Sequence, residues 1–297
     1  MVPKEKLTAH LALLAVALIY GLNYSIAKDV MPAYITPLTF ILVRAIGATS
    51  LFWLTARIFH WEKVKRKDLG RMALCGVFGV ACNQMFFFEG LNLTTPISAA
   101  VIMTANPILV LVMSAILLKE SLRPSRIVGI VLGIAGALFL ITRGGQVADI
   151  MDSDKSLGNL LVLLNAASYA AYLVLVKPLM RKYEAITVIR WVFLFGLIMV
   201  LPFGWPHFGD IQWAQMPVNI IWKVGFVVIC TTYMAYLLNV FALKTVTSTT
   251  VSFYIYLQPL FAALAAIALG KDEITLILCL SALLLFAGVY LVSFYKR

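Results

Sequence analysis

Two stretches decide the reading: TPISAAVIMTANPILVLVMSAILLKE (Thr95–Glu120) and TSTTVSFYIYLQPLFAALAAIALGKD (Thr247–Asp272). Laid over each other at an offset of 152 residues, they pair Thr95 with Thr247, Pro107 with Pro259, Lys119 with Lys271 and Glu120 with Asp272. Each is an apolar run interrupted by an amide–proline pair and closed by a lysine and an acid. The match continues outward. Leu91 meets Leu243, Leu132 meets Leu284 and Gly136 meets Gly288. Nearer the start of each half the offset is 149, pairing Tyr20 with Tyr169 and Lys28 with Lys177. The chain reads as one unit written twice.

The composition says where such a unit lives. Of 297 residues, 62% are hydrophobic and 12% charged, with a mean hydropathy of +0.96. Soluble domains run at roughly 45–50% apolar and about 25% charged. A water-soluble enzyme is therefore excluded, and so is disorder, which needs few aromatics and high charge. A membrane-crossing helix takes about 20 apolar residues. Ten such runs are expected: Leu7–Ala27, Pro37–Ala56, Met72–Phe88, Ile97–Leu118, Ile127–Thr142, Leu157–Val176, Thr187–Trp205, Val224–Leu243, Thr245–Gly270 and Ile274–Tyr295. The third and fifth are short and borrow a flanking turn. Alternation of the β-barrel kind is absent, leaving helices to satisfy the backbone in lipid. Ala15-Val-Ala17 resembles a signal-peptidase site, but the apolar run continues to Ala27, so an uncleaved first helix is expected.

Five spans fall in each half, residues 1–145 and 157–297, joined by an external linker at 146–156. An odd number makes the second copy enter from the opposite side. The expected architecture is thus all-α and integral to the membrane: ten transmembrane helices as two inverted five-helix repeats around a central cavity. Basic residues set the orientation. With the N-terminus cytoplasmic, 17 Lys and Arg fall in cytoplasmic segments, the densest run being Lys63 to Lys67 with Arg71, against five outside (Lys28, Arg143, Lys155, Lys223, Lys271). Both ends are expected in the cytoplasm. The net charge of +11 belongs to these loops, so no nucleic acid is expected as partner. Cys75, Cys82, Cys230 and Cys279 lie in apolar runs and form neither a zinc nor a disulfide pattern.

The fourth span and its copy (Thr95, Asn106-Pro107, Leu118-Lys119-Glu120; Thr247, Gln258-Pro259, Gly270-Lys271-Asp272) resemble the hallmark of the drug/metabolite transporter superfamily. Ile19-Tyr20-Gly21-Leu22-Asn23 resembles that superfamily's Trp-Gly-x-Asn motif, with Tyr20 where Trp is usual. Over essentially the whole chain the likeness is to the ten-helix EamA-like bacterial branch, which is similar to exporters of amino acids and other metabolites. It implies a basket of helices around a cavity, with the fifth and tenth helices less involved in lining it.

Candidate site residues follow from chemistry at depth. Proline removes a backbone hydrogen bond and clashes with the carbonyl four residues back. Pro107 and Pro259 are therefore candidate kinks or gates, freeing the carbonyls of Met103 and Ile255. An unpaired amide in hydrocarbon costs a few kcal/mol. Asn23, Gln84, Asn106 and Gln258 are accordingly expected to line the cavity, while Asn83, Asn165 and Asn239 serve equally as helix–helix glue. Tyr20, Tyr169, Tyr172 and Tyr256 offer a ring and a hydroxyl each, and Met103 completes the expected lining. Arg44 and Arg190 are the charges within spans; Arg44 is a candidate gate or cavity residue, with Asp29 or Glu89 as possible partners. Gly129, Gly133 and Gly136 permit close helix approach, within one chain or in a weak dimer.

No Asp or Glu sits mid-span, so proton exchange through a buried carboxylate is not expected. No phosphate-binding lysine loop is present, and neither cofactor nor metal is expected. The reading is a secondary transporter or facilitator of the cell inner membrane, not an enzyme, exporting small organic metabolites, amino acids foremost. Sugars, nucleosides or drugs as solutes, and import as direction, remain open. A membrane-embedded enzyme or receptor is the remote alternative.

Overall fold

The computed structural model describes residues 4–59, 61–95, 99, 102–120, 123–141, 156–268 and 275–293. The linker expected at 146–156 lies, apart from Ser156, outside these, as do Lys271 and Asp272. Among the described residues the chain is helical throughout: α1 (Lys4–Val30), α2 (Pro37–Phe59), α3 (Arg66–Leu93), α4 (Asn106–Leu118), α5 (Pro124–Ile141), α6 (Ser156–Val176), α7 (Ala185–Gly204), α8 (Val218–Ala242), α9 (Ser248–Ala268) and α10 (Leu276–Ser293). Six of these (α1, α2, α3, α6, α7 and α8) are long and apolar enough to cross a membrane, and α4, α5 and α10 contain shorter apolar helices.

The burial pattern runs opposite to that of a soluble protein. Leu54, Ile58, Ile116, Leu117 and Leu283 lie on the outside, whereas Asn23, Gln84, Asn106, Asn165, Asn239 and Gln258 are buried. Only an apolar surrounding makes that arrangement favourable, because amides must find partners inside and hydrocarbon faces hydrocarbon.

Three helices depart from regular geometry. α3 carries a π-helical segment at Val77–Ala81, and α8 carries one at Val227–Met234. A π turn inserts one extra residue and leaves carbonyls off the regular ladder. These carbonyls are taken by side chains: Tyr236 Oη donates to Gly79 O at 2.8 Å, Ser168 Oγ to Phe78 O at 2.6 Å and Thr232 Oγ1 to Val227 O at 2.7 Å. α9 tightens into a 3₁₀ stretch at Tyr254–Leu257 and resumes at Gln258. In the fourth span, Thr104 and Ala105 form a turn and α4 begins at Asn106, with Pro107 in its first turn. Pro107 thus lies in the first turn of α4, where a missing N–H costs nothing, and not inside a helix as the sequence reading expected. Pro259 lies inside α9, directly after its 3₁₀ stretch.

The packing repeats with the chain. α6 lies on α3 and α4, and α1 lies on α8 and α9; α7 lies on α3, and α2 on α8; α2 also packs on α7, and α5 on α10. Lys28 Nζ donates to Leu91 O at 2.8 Å near the end of α3. Lys177 Nζ donates to Leu243 O and Val246 O just beyond α8. In each case a lysine ammonium meets the carbonyl-rich end of a neighbouring helix, the favourable end for a cation.

α5 is the glycine-edged helix. A β-carbon on Gly129 would stand 2.7 Å from Val292, and one on Gly133 2.4 Å from the Tyr256 ring. The Gly129–Gly133–Gly136 edge is therefore occupied by α9 and α10 of the same chain.

Candidate functional site

A cavity opens between α1, α2, α3, α6, α8 and α9, at mid-length of the helices. It holds about 580 Å³ of atom-free space, its solvent-open part included. Tyr20 and Asn23 come from one face of α1, three residues apart. Arg44 comes from α2, and Asn83, Gln84, Phe87 and Phe88 from α3 just after its π segment. Met103 precedes the start of α4, Asn165 and Tyr169 stand on α6, and Thr231 and Tyr236 on α8. Ile255 and Gln258 come from the tightened part of α9. Among the described residues, α5, α7 and α10 supply no lining side chain.

The wall is built through the irregular segments. The α8 π turn holds Thr232, and its hydroxyl accepts from Arg44 Nε at 3.0 Å. The Arg44 guanidinium lies 4.3 Å from the Phe88 ring centroid, a cation–π contact. Tyr236 Oη bonds Gly79 O and also reaches Asn83 Oδ1 at 3.1 Å. Asn165 Nδ2 donates to Asn83 O at 2.7 Å, tying α6 to α3. Gly21 explains the motif around it. A β-carbon there would sit 2.6 Å from the Gln258 carbonyl oxygen, so α1 and the restart of α9 touch backbone to backbone.

Of the candidates from sequence, Tyr20, Asn23, Gln84, Met103, Tyr169, Gln258 and Arg44 come together here. Asn106, Tyr172 and Tyr256 do not line the cavity. Asn106 turns its amide to Ala166 O at 2.7 Å and joins α4 to α6. Tyr172 is fully buried with its ring against Gly79, behind the wall. Tyr256 packs edge-on to Phe253 and donates to Thr104 O at 3.0 Å. The carbonyl caught at the break is thus that of Thr104, one residue beyond Met103. Asp29 is not the partner of Arg44, because it pairs with Lys223 at 2.5 Å. Tyr236, Thr231, Phe87 and Phe88 were not singled out from sequence. They stand in apolar runs where an aromatic or threonine reads as packing, and only the helical phase set by the π turns turns them inward.

A narrower space continues from this cavity. It shares Tyr20, Tyr169, Ile255 and Gln258, and it adds Asn239 and Tyr254. Asn239 Nδ2 donates to Tyr169 Oη at 3.2 Å, and His10 Nδ1 and Tyr254 Oη lie 2.7 Å apart. Beyond His10 is a polar recess at the starts of α1, α5 and α9, lined by Lys6, Arg123 and Arg126.

Known proteins agree with this architecture. The chain is 23% identical over 293 residues to the uncharacterized transporter YyaM of Bacillus subtilis, covering 97% of this chain and 94% of the relative. It is 24% identical to the WAT1-related protein At3g53210 of Arabidopsis thaliana, covering 93% and 80%. A crystal structure superposes with a TM-score of 0.76 at 17% identity, covering 95% of this chain and 98% of the other, which shows a shared fold. Residues 7–142 and 156–294 each match the EamA-like transporter family. Matched over both halves by that family, this helical chain with six spans long and apolar enough to cross a membrane belongs to the EamA-like transporter family.

Proposed function

We propose that the chain is a secondary transporter of the inner membrane, built as two inverted five-helix repeats, that exports small organic metabolites, amino acids foremost, by alternating access. The observation that carries this reading is the cavity itself. It lies between the halves, on helices broken at equivalent places, with a wall of amides, hydroxyls and rings. Such a wall suits a solute with both polar and apolar parts.

Three features support the inverted repeat. Lys28 and Lys177 are counterparts, and so are the acceptors Leu91 and Leu243. The π segments of α3 and α8 start 150 residues apart, at Val77 and Val227. Thr104 and Tyr256 are separated by 152 residues and touch each other. Two counterparts in contact are what a two-fold axis between the halves produces.

The same geometry suggests the gate. With the termini cytoplasmic, the His10–Tyr254 and Asn239–Tyr169 bonds lie between the cavity and the cytoplasmic recess and close that route. Opening them while the far side closes would expose the site inward. With its glycine edge filled internally, the chain needs no second copy to cover that edge, which fits a monomer or weak dimer. Counterflow into proteoliposomes tests the reading. Vesicles loaded with each unlabelled amino acid should take up the labelled form above protein-free vesicles for at least one of them. Flux of a sugar or nucleoside with none for amino acids moves the solute class, and flux of nothing removes the transport cycle proposed here.

A further inference from the structure

We propose that Arg44 is the carboxylate-recognising residue of the cavity, so that the transported solute carries a carboxylate, a deepening that rests on the transport reading above. Arg44 is 3% exposed and lines the cavity. One nitrogen, Nε, is committed to Thr232 Oγ1, whose own hydroxyl is held by the π-segment carbonyl of Val227. Phe88 covers one face of the guanidinium. Nη1 has no hydrogen-bond partner. Among the described residues no carboxylate pairs with Arg44, and the other described residues lining the cavity are uncharged.

A guanidinium cannot discard its charge as a lysine can, and it is costly to bury without an anion. The protein nevertheless fixes this one at the cavity wall, at Nε and on one face, and leaves Nη1 without a partner. That is the arrangement of a pre-organised anion receptor from which the anion is supplied by the ligand. A carboxylate matches the fork in geometry and charge. The opposite pole of the solute finds acceptors in the same cavity: Asn23 Oδ1 and Asn165 Oδ1 are buried without partners. An ammonium or hydroxyl group of the solute would satisfy them. The cavity, taken as one cation and several neutral acceptors, thus favours amino acids and other polar monocarboxylates over sugars, nucleosides and cationic drugs.

The test is a thermal-shift series on the purified full-length protein in detergent. The probes are the proteinogenic amino acids and their 2-oxo acids, each set beside its primary amide. At least one acid should raise the melting temperature in a concentration-dependent way, with its amide at least about tenfold weaker. Arg44→Met should abolish the shift, and Arg44→Lys should keep a weakened one. Without ligand, Arg44→Met should melt as high as wild type, since it removes an uncompensated buried charge. If acid and amide act alike, if no carboxylate shifts the protein, or if Arg44→Met still responds, the assignment is overturned. Counterflow separates the two readings. Transport of uncharged solutes that survives Arg44→Met overturns the carboxylate while leaving the transporter, whereas absent flux of every solute strikes the transport cycle first.

Discussion

The two mid-helix breaks invite comparison. Each precedes an amide–proline pair, Asn106-Pro107 in one half and Gln258-Pro259 in the other. Yet Asn106 spends its amide on the Ala166 carbonyl, whereas Gln258 lines the cavity beside the Gly21 contact. The break before Asn106 offers a carbonyl, at Thr104, and the break before Gln258 offers the hydroxyl that meets it, on Tyr256. Positions that match at the 152-residue offset are therefore placed differently: Asn106 joins α4 to α6, and Gln258 lines the cavity.

The strongest way to break this comparison is at the backbone contact. Gly21→Val places a branched side chain where even a β-carbon would be 2.6 Å from the Gln258 carbonyl. It should cost several kcal/mol and abolish both folded yield and transport. Recovery of a normally melting protein, by fluorescence size-exclusion and thermal scan, would mean α1 and α9 are not so close. Next comes the split between amides. Asn106→Ala removes the second hydrogen bond to the Ala166 carbonyl, whose helical bond within α6 stays, and should cost about 0.5–1.5 kcal/mol, with flux per folded molecule nearly kept. Gln258→Ala should leave the melting temperature within a few degrees and lower flux per folded molecule about tenfold. If the two variants behave alike in both measurements, the division of labour fails.

The prolines sharpen the picture further. Because Pro107 stands in the first turn of α4 and Pro259 directly after the 3₁₀ stretch of α9, Pro107→Ala and Pro259→Ala should each cost under about 1 kcal/mol. Each should lower the transport rate more than protein abundance, measured by counterflow against immunoblot, since alanine lets the helix run on through the break. Equal losses of both would make the breaks static. The smallest effect belongs to Tyr256→Phe, which deletes one hydroxyl donor. About 0.6–1 kcal/mol is expected from a single interhelical hydrogen bond in a membrane protein, read as a small drop in melting temperature.

Much of this was legible from residues alone. Apolar runs bounded by charge give the helices, because the bilayer demands them. The paired motifs read as a duplication. The amides and tyrosines at depth give candidates, and Tyr20, Asn23, Gln84, Tyr169 and Gln258 share one cavity. What stayed hidden is rotational. Tyr169 and Tyr172 are three residues apart on α6, and one faces the cavity while the other faces Gly79. Sequence spacing puts both on roughly one side, and only packing decides between them. The π segments are hidden more deeply. Val77–Ala81 and Val227–Met234 contain no proline and no composition that distinguishes them from ordinary helix. Their extra residue nonetheless sets which way Gln84, Phe88, Thr231 and Tyr236 point.

The Tyr256–Thr104 bond also links two segments that lie 152 residues apart in sequence, the turn before α4 and the tightened part of α9. Closing so long a loop costs conformational entropy, and one hydroxyl contributes only about 1 kcal/mol against it. The bond therefore fastens a contact that the packing of α4 on α9 has already made, and it can open without loss of the fold.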